Sequence, residues 1–371
     1  METVQVQLPS HTIAPYSVRV GAGQLGEIGP TLRTDLDART CVIITDSNVA
    51  PLYLARTAAS LEGVDIRVLA AQFAAGEAAK NLRTVGELYD NLLPRRLDRN
   101  AVIIALGGGV AGDLAGFIAA TLLRGLPFVQ APTTLLAAVD ASVGGKVGID
   151  HAAGKNLIGA FHQPRLVITD LATFKTLPRR EIACGLAECV KHAFIRDGAL
   201  LSFIETRLDS LISCDPVTME KLVAWNVQIK AEIVEMDPYE KNQRAWLNFG
   251  HTFGHALETV GQYHALQHGE AVALGMVAAA RLSEKRLGLN SAITARLIAL
   301  LDRIGLPTRL PGLDAGAIFN AMKTDKKNRD GALRLVLLAD IARPEIISDV
   351  PAEQVFQAIE SLNVTETATG H

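Results

Sequence analysis

The chain has 371 residues, enough for about two domains. Its composition is 49% hydrophobic and 20% charged, which excludes a chain that is disordered throughout. Its 36 basic and 39 acidic residues leave a net charge of −3, which excludes a whole-chain basic footprint for nucleic acid. Four cysteines, Cys41, Cys184, Cys189 and Cys214, form no C-x-x-C pair and are too sparse for a disulfide scaffold. A reducing compartment fits them. No basic stretch followed by an apolar run opens the chain, and no apolar run reaches about 18 residues, so neither a signal peptide nor a membrane span is expected. These features predict a soluble, cytoplasmic protein.

Segments 41–45 and 64–69 are short β-branched runs and read as strands. A helix follows over 80–93, with Leu82, Val85, Leu88, Tyr89 and Leu92 on one face. The apolar run 101–106 reads as a buried strand that stops at Gly107-Gly108-Gly109, and 127–131 and 165–170 read as further strands. This alternation predicts an α/β domain with a largely parallel, buried sheet. From Arg179 the apolar spacing turns helical, over 179–196, 199–212, 216–235, 244–260, 269–286, 291–304 and 314–322. Asp215-Pro216 is a good N-cap and first-turn pair, and Gly288 and Gly305 are good helix stops. A boundary near Thr176-Leu177-Pro178 therefore divides the chain into an α/β domain, 1–178, and a helical domain, 179–371. Runs 333–338 and 345–348 read as a small hairpin, and 363–371 as a frayed tail.

Gly107, Gly109 and Gly112 satisfy G-x-G-x-x-G after a strand and before an apolar helix. Such glycines let the backbone approach a pyrophosphate at a helix N-terminus. The acidic residue expected about 20 positions later is absent, since Ala131-Pro132-Thr133-Thr134 stands there. Dinucleotide binding in a variant geometry is the reading, with Asp46 as the ribose candidate. A structural glycine turn and an ordinary turn aspartate are the plainer alternatives. Segment 140–156 carries Gly145-Lys146, Gly154-Lys155 and Asn156, which suit an anionic group, although a solvated loop would look the same.

Glu188 and Lys191 share one helix face at i and i+3. His251 and His255 lie at i and i+4, with Arg244 and Asn248 on the same stripe, and His268 opens the next helix. A carboxylate with two or three imidazoles is a plausible zinc shell with an open position. Spacing alone selects His251 and His255 as the chelating pair, and H-E-x-x-H is absent. An alanine-rich helix also carries histidines at i, i+4 for structural reasons. Lys146, Lys155, Lys191, Lys230, Arg244, Lys326 and Lys327 would favour a polyanionic small molecule if they converge, whereas each alone is an ordinary surface charge.

Taken in order, GGGVAGD, DASVGGK, GKN, GLAECVKH, RAWLNFGHTFGH and HGEAVALGM resemble the 3-dehydroquinate synthase family. FAAGEAAK at 73–80 is similar to the family's glycine-glutamate segment near the nucleotide, and the likeness runs from about Val18 to Leu338. The resemblance implies a dehydroquinate synthase-like fold: a Rossmann-like α/β N-terminal domain, an all-α C-terminal domain, and a homodimer with its active site in the interdomain cleft. It implies a lyase of the shikimate pathway, leading to chorismate and the aromatic amino acids, with NAD+ and one divalent metal, Zn2+ or Co2+. The implied reaction converts 3-deoxy-D-arabino-heptulosonate 7-phosphate to 3-dehydroquinate and phosphate. Its steps are transient oxidation, phosphate elimination, reduction, ring opening and intramolecular aldol closure.

Residue by residue, the resemblance implies Glu188, His251 and His268 as metal ligands, which moves His255 to substrate contact. It implies active-site roles for Asp140, Lys146, Asn156, Lys191, Lys230, Glu240, Arg244, Asn248 and His255, with Lys326 or Lys327 as a late lysine. Arg124 matches an arginine sent into the neighbouring subunit's site. Nucleotide contacts would be Asp46, Gly76, Glu77, Lys80, Gly109, Val110, Ala111, Gly112, Asp113, Thr133, Thr134, Lys146, Lys155, Thr173 and Thr176. Ala75 departs from the aspartate common at its position, and Cys189 and His192 are likewise less usual. The rivals are a sugar phosphate cyclase acting on a carboxylate-free heptulose phosphate, a metal-dependent polyol dehydrogenase, and a non-catalytic metabolite binder. No nucleic-acid or membrane partner is expected.

Overall fold

The computed structural model describes residues 14–261, 266–323 and 333–363. The first part alternates strand and helix: β1 Ser17–Gly21, α1 Ile28–Leu36, β2 Thr40–Asp46, α2 Ala55–Glu62, β3 Arg67–Phe73, α3 Leu82–Leu92, β4 Val102–Gly107, α4 Gly109–Thr121 and β5 Phe128–Pro132. A hairpin, β6 Lys146–His151 and β7 Gly154–Phe161, precedes β8 Leu166–Asp170. Six strands form one parallel sheet in the order β1-β8-β5-β4-β2-β3.

Alternation along the buried strands separates two cores. Cys41 and Ile43 of β2 pack with Ile28, Leu32 and Leu61 of α1 and α2. Val42 and Ile44 pack with Leu88 and Leu114 of α3 and α4 on the other side. A parallel sheet needs this cover on both faces, which is why its strands read as continuous apolar runs.

Helices then dominate: α5 Arg179–Arg196, α6 Gly198–Ile212, α7 Pro216–Met236, α8 His251–Val260, α9 His268–Leu287, α10 Ser291–Ile304, α11 Ala315–Lys323 and α12 Ala352–Glu360. The antiparallel hairpin β9 Leu335–Asp340 and β10 Arg343–Ile347 interrupts them. Leu186, Val190, Val272, Val277 and Leu337 belong to one large core around α5 and α9.

The structure departs from the sequence reading at four places. The strand expected at 64–69 starts at Arg67, because Gly63-Val64-Asp65 turns out of α2 and Asp65 takes a left-handed φ of 59°. The helix expected over 244–260 is broken into a 3-10 turn, Gln243–Asn248, and α8, with Gly250 at φ 81° between them. Segment 140–156 is no open loop: a wide helical turn, Ala137–Ala141, leads into the β6–β7 hairpin. Elements β1, α1, α2 and α12 are not among the expected ones, although α12 carries Val355, Ala358 and Ile359 at helical spacing. Of the tail expected over 363–371, only Asn363 is among the described residues. All four cysteines are free, and no described helix is long and apolar enough to cross a membrane.

Candidate active site

Three helices meet at Glu188. A Cβ on Gly269 would lie 2.4 Å from Cys184 Cα, so the absence of a side chain lets the start of α9 press against α5. A capping box fixes that start: Gln267 N donates to Glu270 Oε2 at 2.8 Å, while the Gln267 side chain accepts from the backbone N–H of Glu270. Arg180 holds Glu270 with two bonds of 2.6 Å. His268 is thereby placed beside α5, and His251 reaches the same point from the first turn of α8.

Glu188 is fully buried, and its Oε1 lies 3.5 Å from His251 Nε2 and 3.3 Å from His268 Nε2. Neither carboxylate oxygen has a well-formed hydrogen bond, although Lys191 Nζ forms a close ion pair with Oε2. Burial raises the Glu188 pKa, but Lys191, His251 and His268 outweigh it and hold the carboxyl well below its usual range. The far nitrogens of both imidazoles are engaged: His251 Nδ1 contacts Phe249 O at 3.4 Å and His268 Nδ1 contacts Glu258 Oε1 at 3.2 Å. That leaves Nε2 of each turned to Glu188. The ligand atoms of Glu188, His251 and His268 all lie within 4.8 Å of one another. One carboxylate and two imidazoles with anchored far nitrogens fit a divalent cation such as zinc or cobalt. His255 groups instead with Glu258 and His268, and among the described residues no such set joins His251 with His255.

A second cluster adjoins this one. Lys230 Nζ donates to Asp140 Oδ1 at 2.6 Å, and Lys191 Nζ lies 4.0 Å from the same oxygen. Burial raises the Asp140 pKa, but the two lysines outweigh it and hold the carboxyl well below its ordinary value. Burial lowers Lys230 to about 8, with Asp140 opposing that shift. Lys191 is pushed the other way: burial lowers its pKa, but Glu188 and Asp140 more than offset this.

The turn after α7 brings the next group. Arg244 is 2% exposed, and donates to Pro238 O at 2.6 Å and to Gly144 O at 2.9 Å. Lys146 pairs closely with Glu240, which also accepts from Asn248 Nδ2 at 2.9 Å. Sequence reasoning missed Asp237, whose carboxylate accepts from the backbone N–H of Lys241, Asn242 and Arg244 at 2.9, 2.6 and 3.2 Å. The Asp237-Pro238 turn signal could have found it. Glu258 was missed too, although it shares the α8 face of His251 and His255 by spacing. So was Tyr16, whose hydroxyl accepts from Gly144 N at 3.0 Å.

The nucleotide candidates lie at the carboxyl ends of the strands. Strand order reverses between β2 and β4, and such switch points open a crevice for a ligand. Asp46 ends β2 there, and its Oδ1 caps the following turn through Asn48 N and Val49 N at 2.8 and 3.0 Å. Gly107 ends β4, and Gly109, Val110, Ala111, Gly112 and Asp113 open α4. Lys80 is 4% exposed and joins Asp113 Oδ2, at 2.6 Å, to Asn156 Oδ1 of the hairpin. Lys155 lies 3.9 Å from Glu77 and 3.3 Å from Glu258. Glu77 follows Gly76, which has a left-handed φ of 107°. Thr133 N donates to Gly107 O at 2.9 Å, and Thr134 Oγ1 accepts from Ala137 N at 3.1 Å. Thr176 Oγ1 donates to Thr173 O at 2.9 Å and meets Tyr53 Oη at 2.6 Å. Glycines beside a helix start, with threonines and lysines around them, fit a dinucleotide.

One expected site member stands apart. Arg124 is exposed in the turn beyond α4, about 20 Å along that helix from the glycines. It has a φ of 71°, next to Leu123 at 52°. Lys326 and Lys327 lie outside the described residues.

Comparisons with known proteins agree along the chain. The family model for the 3-dehydroquinate synthase N-terminal region matches residues 70–184, and the C-terminal one matches residues 185–328. A 3-dehydroquinate synthase of Symbiobacterium thermophilum is 45% identical over 350 residues, covering 94% of this chain and 98% of the relative. The solved structure of 2-epi-5-epi-valiolone synthase from Streptomyces hygroscopicus, with NAD+ and Zn2+ bound, superposes with a TM-score of 0.88 at 29% identity, covering 96% and 99% of the two chains. That of 2-deoxy-scyllo-inosose synthase complexed with carbaglucose-6-phosphate, NAD+ and Co2+ gives a TM-score of 0.85 at 27% identity, covering 93% and 96%. With both halves matched in order by its models and a relative alike over nearly its whole length, the chain belongs to the 3-dehydroquinate synthase family.

Proposed function

We propose that this chain converts 3-deoxy-D-arabino-heptulosonate 7-phosphate to 3-dehydroquinate and phosphate, using NAD+ and one divalent cation, Zn2+ or Co2+. The observation that carries the reading is the Glu188–His251–His268 set beside buried Lys191 and Lys230. A substrate that is both carboxylate and phosphate ester calls for this density of cations. When bound, the cation supplies Lewis acidity at the substrate alcohol and NAD+ supplies a transient hydride acceptor.

In this reading Glu188, His251 and His268 hold the cation, and the other residues bind and orient the substrate. Lys191 and Lys230 present ammonium groups that pair with Glu188 and Asp140 respectively in the free enzyme. Lys146, Glu240, Asn248 and Arg244 form a polar wall, and Asp237 fixes the backbone at Arg244. His255 stands beside the cation site as a substrate contact, and Asn156, Lys80, Lys155 and the glycine crevice serve the nucleotide side. Most of this work is positioning and electrostatics in a site that excludes water. The division at 178/179 makes the site a cleft between an α/β and a helical domain, which we infer closes on substrate. Identical scattering profiles with and without a substrate analogue would count against closure. The exposed Arg124 turn supports a homodimer in which that arginine enters the neighbouring site. Free cysteines and a biosynthetic role support a cytoplasmic setting.

The test is phosphate release from this substrate with catalytic NAD+ and zinc, with NADH absorbance followed in parallel. Stoichiometric phosphate without NADH accumulation is expected. The likeness to 2-epi-5-epi-valiolone synthase motivates sedoheptulose 7-phosphate as the competing substrate. Release from that compound alone would move the chain to the carboxylate-free cyclases, and accumulating NADH would make it a dehydrogenase.

A further inference from the structure

Glu258 is 4% exposed and divides its two oxygens between two different parts of the site. Oε1 meets His268 Nδ1 at 3.2 Å, and Oε2 meets Lys155 Nζ at 3.3 Å. His268 faces Glu188 with its other nitrogen, whereas Lys155 stands on the β7 strand beside Glu77. One buried carboxylate thus touches both the metal-ligand histidine and the lysine on the nucleotide side.

We propose that Glu258 is a positioning residue that couples nucleotide binding to metal affinity through His268. This rests on the ligand set given above. A carboxylate accepting from Nδ1 fixes the imidazole tautomer, holds Nε2 free for a cation and makes that nitrogen a better donor. Lys155 competes for the same negative charge. A dinucleotide phosphate that draws Lys155 away leaves more of the Glu258 charge on His268, so NAD+ tightens metal binding. By linkage, metal tightens NAD+ binding by the same factor.

The sign of each substitution follows from this arrangement. Glu258→Gln lowers zinc affinity by about 10–100-fold, and Glu258→Asp recovers part of the loss. Lys155→Met acts in the opposite direction, raising zinc affinity in the absence of NAD+ and abolishing the tightening by NAD+. A residue that served packing alone would weaken zinc in either variant.

The experiment is competition for Zn2+ against a chromophoric chelator, with and without NAD+. It uses the full-length wild type and the Glu258→Gln, Glu258→Asp, Lys155→Met and His268→Ala variants, each with the melting curve of its chelated form. Co2+ spectra are recorded beside it. In Glu258→Gln the Co2+ bands are expected to keep the intensity of the wild-type coordination number, with only a small shift from the weaker donor, and a changed coordination number would overturn the assignment by making Glu258 a ligand. Wild-type zinc affinity in Glu258→Gln, with binding lost in His268→Ala, overturns the coupling alone. Wild-type affinity in His268→Ala overturns the ligand set, and this inference with it. Should Glu258→Gln fail to fold, Lys155→Met decides: an NAD+ effect that persists there overturns the proposal.

Discussion

A Cβ on Gly275 would stand 2.0 Å from the carbonyl oxygen of Gly250. The α8–α9 crossing therefore admits no side chain at that point, and its closeness holds His251 against His268, with ring centroids 5.3 Å apart. Gly275→Ala must push the helices apart. Overpacking of this kind costs about 1–3 kcal/mol. We expect a lower melting temperature together with at least about tenfold weaker zinc binding, read by chelator competition. A variant that melts earlier yet binds zinc as wild type would break the link between crossing and site.

Removal of His268 and of His255 separates ligand from neighbour. His268→Ala loses metal and turnover together. His255→Ala keeps stoichiometric metal and loses turnover by about 100-fold or more, the scale of a single proton-handling group. Metal analysis of both purified variants checks this, and the reverse pattern would restore the His251–His255 pair favoured by spacing.

Asp237 holds three backbone N–H groups, one of them on buried Arg244. Burial raises its pKa, but those N–H groups together with Arg244 outweigh this and lower it. Asp237→Ala strands the donors, at a cost of about 1–3 kcal/mol for each one left dry. A raised substrate KM is expected from displaced Arg244 and Glu240, with zinc affinity unchanged because no ligand lies on that turn. Steady-state kinetics beside zinc titration tests the split.

Lys230 titrates near pH 8, since burial lowers its pKa to about 8. Above that pH the ammonium that would meet an anionic substrate is lost, so KM rises about tenfold per pH unit beyond it. Lys230→Arg, charged throughout the range, removes that limb. Stability moves the other way. An unfolded lysine keeps its proton to about pH 10.4, so between about 8 and 10 the unfolded chain binds more protons and this group favours folding increasingly as pH rises. Comparing denaturation midpoints of wild type and Lys230→Met across that window isolates the slope.

Arg124 gives a test of the shared site. If the protein is the proposed homodimer, Arg124→Ala and Lys191→Met are each expected to be inactive alone. If the arginine serves the neighbouring site, a 1:1 mixture after subunit exchange recovers about a quarter of wild-type activity, because half the dimers are mixed and each has one intact site. No recovery in a mixture that demonstrably exchanges would confine Arg124 to its own chain.

Much of this was legible in one dimension. Apolar runs at 41–45 and 101–106 mark buried parallel strands, since a strand covered on both faces has no polar side to show. Helical spacing placed α5 and α10 at their observed bounds, because long periodic segments report their own burial. The ordered motifs identified the family, and with it the residue types of the site. What periodicity reports, however, is one face of one element. It paired His251 with His255, which share a helix, and could not show that the candidates Glu188 and His268 reach the same point as His251 from two others. Which imidazoles surround the carboxylate was decided by approaches between distant backbones, Gly275 to Gly250 and Gly269 to Cys184, where the missing side chains set the helix spacing. The same holds for Glu258 and Asp237: an acidic residue in sequence is only a charge, and its task depends on which histidine, lysine or backbone N–H the tertiary fold lays against it.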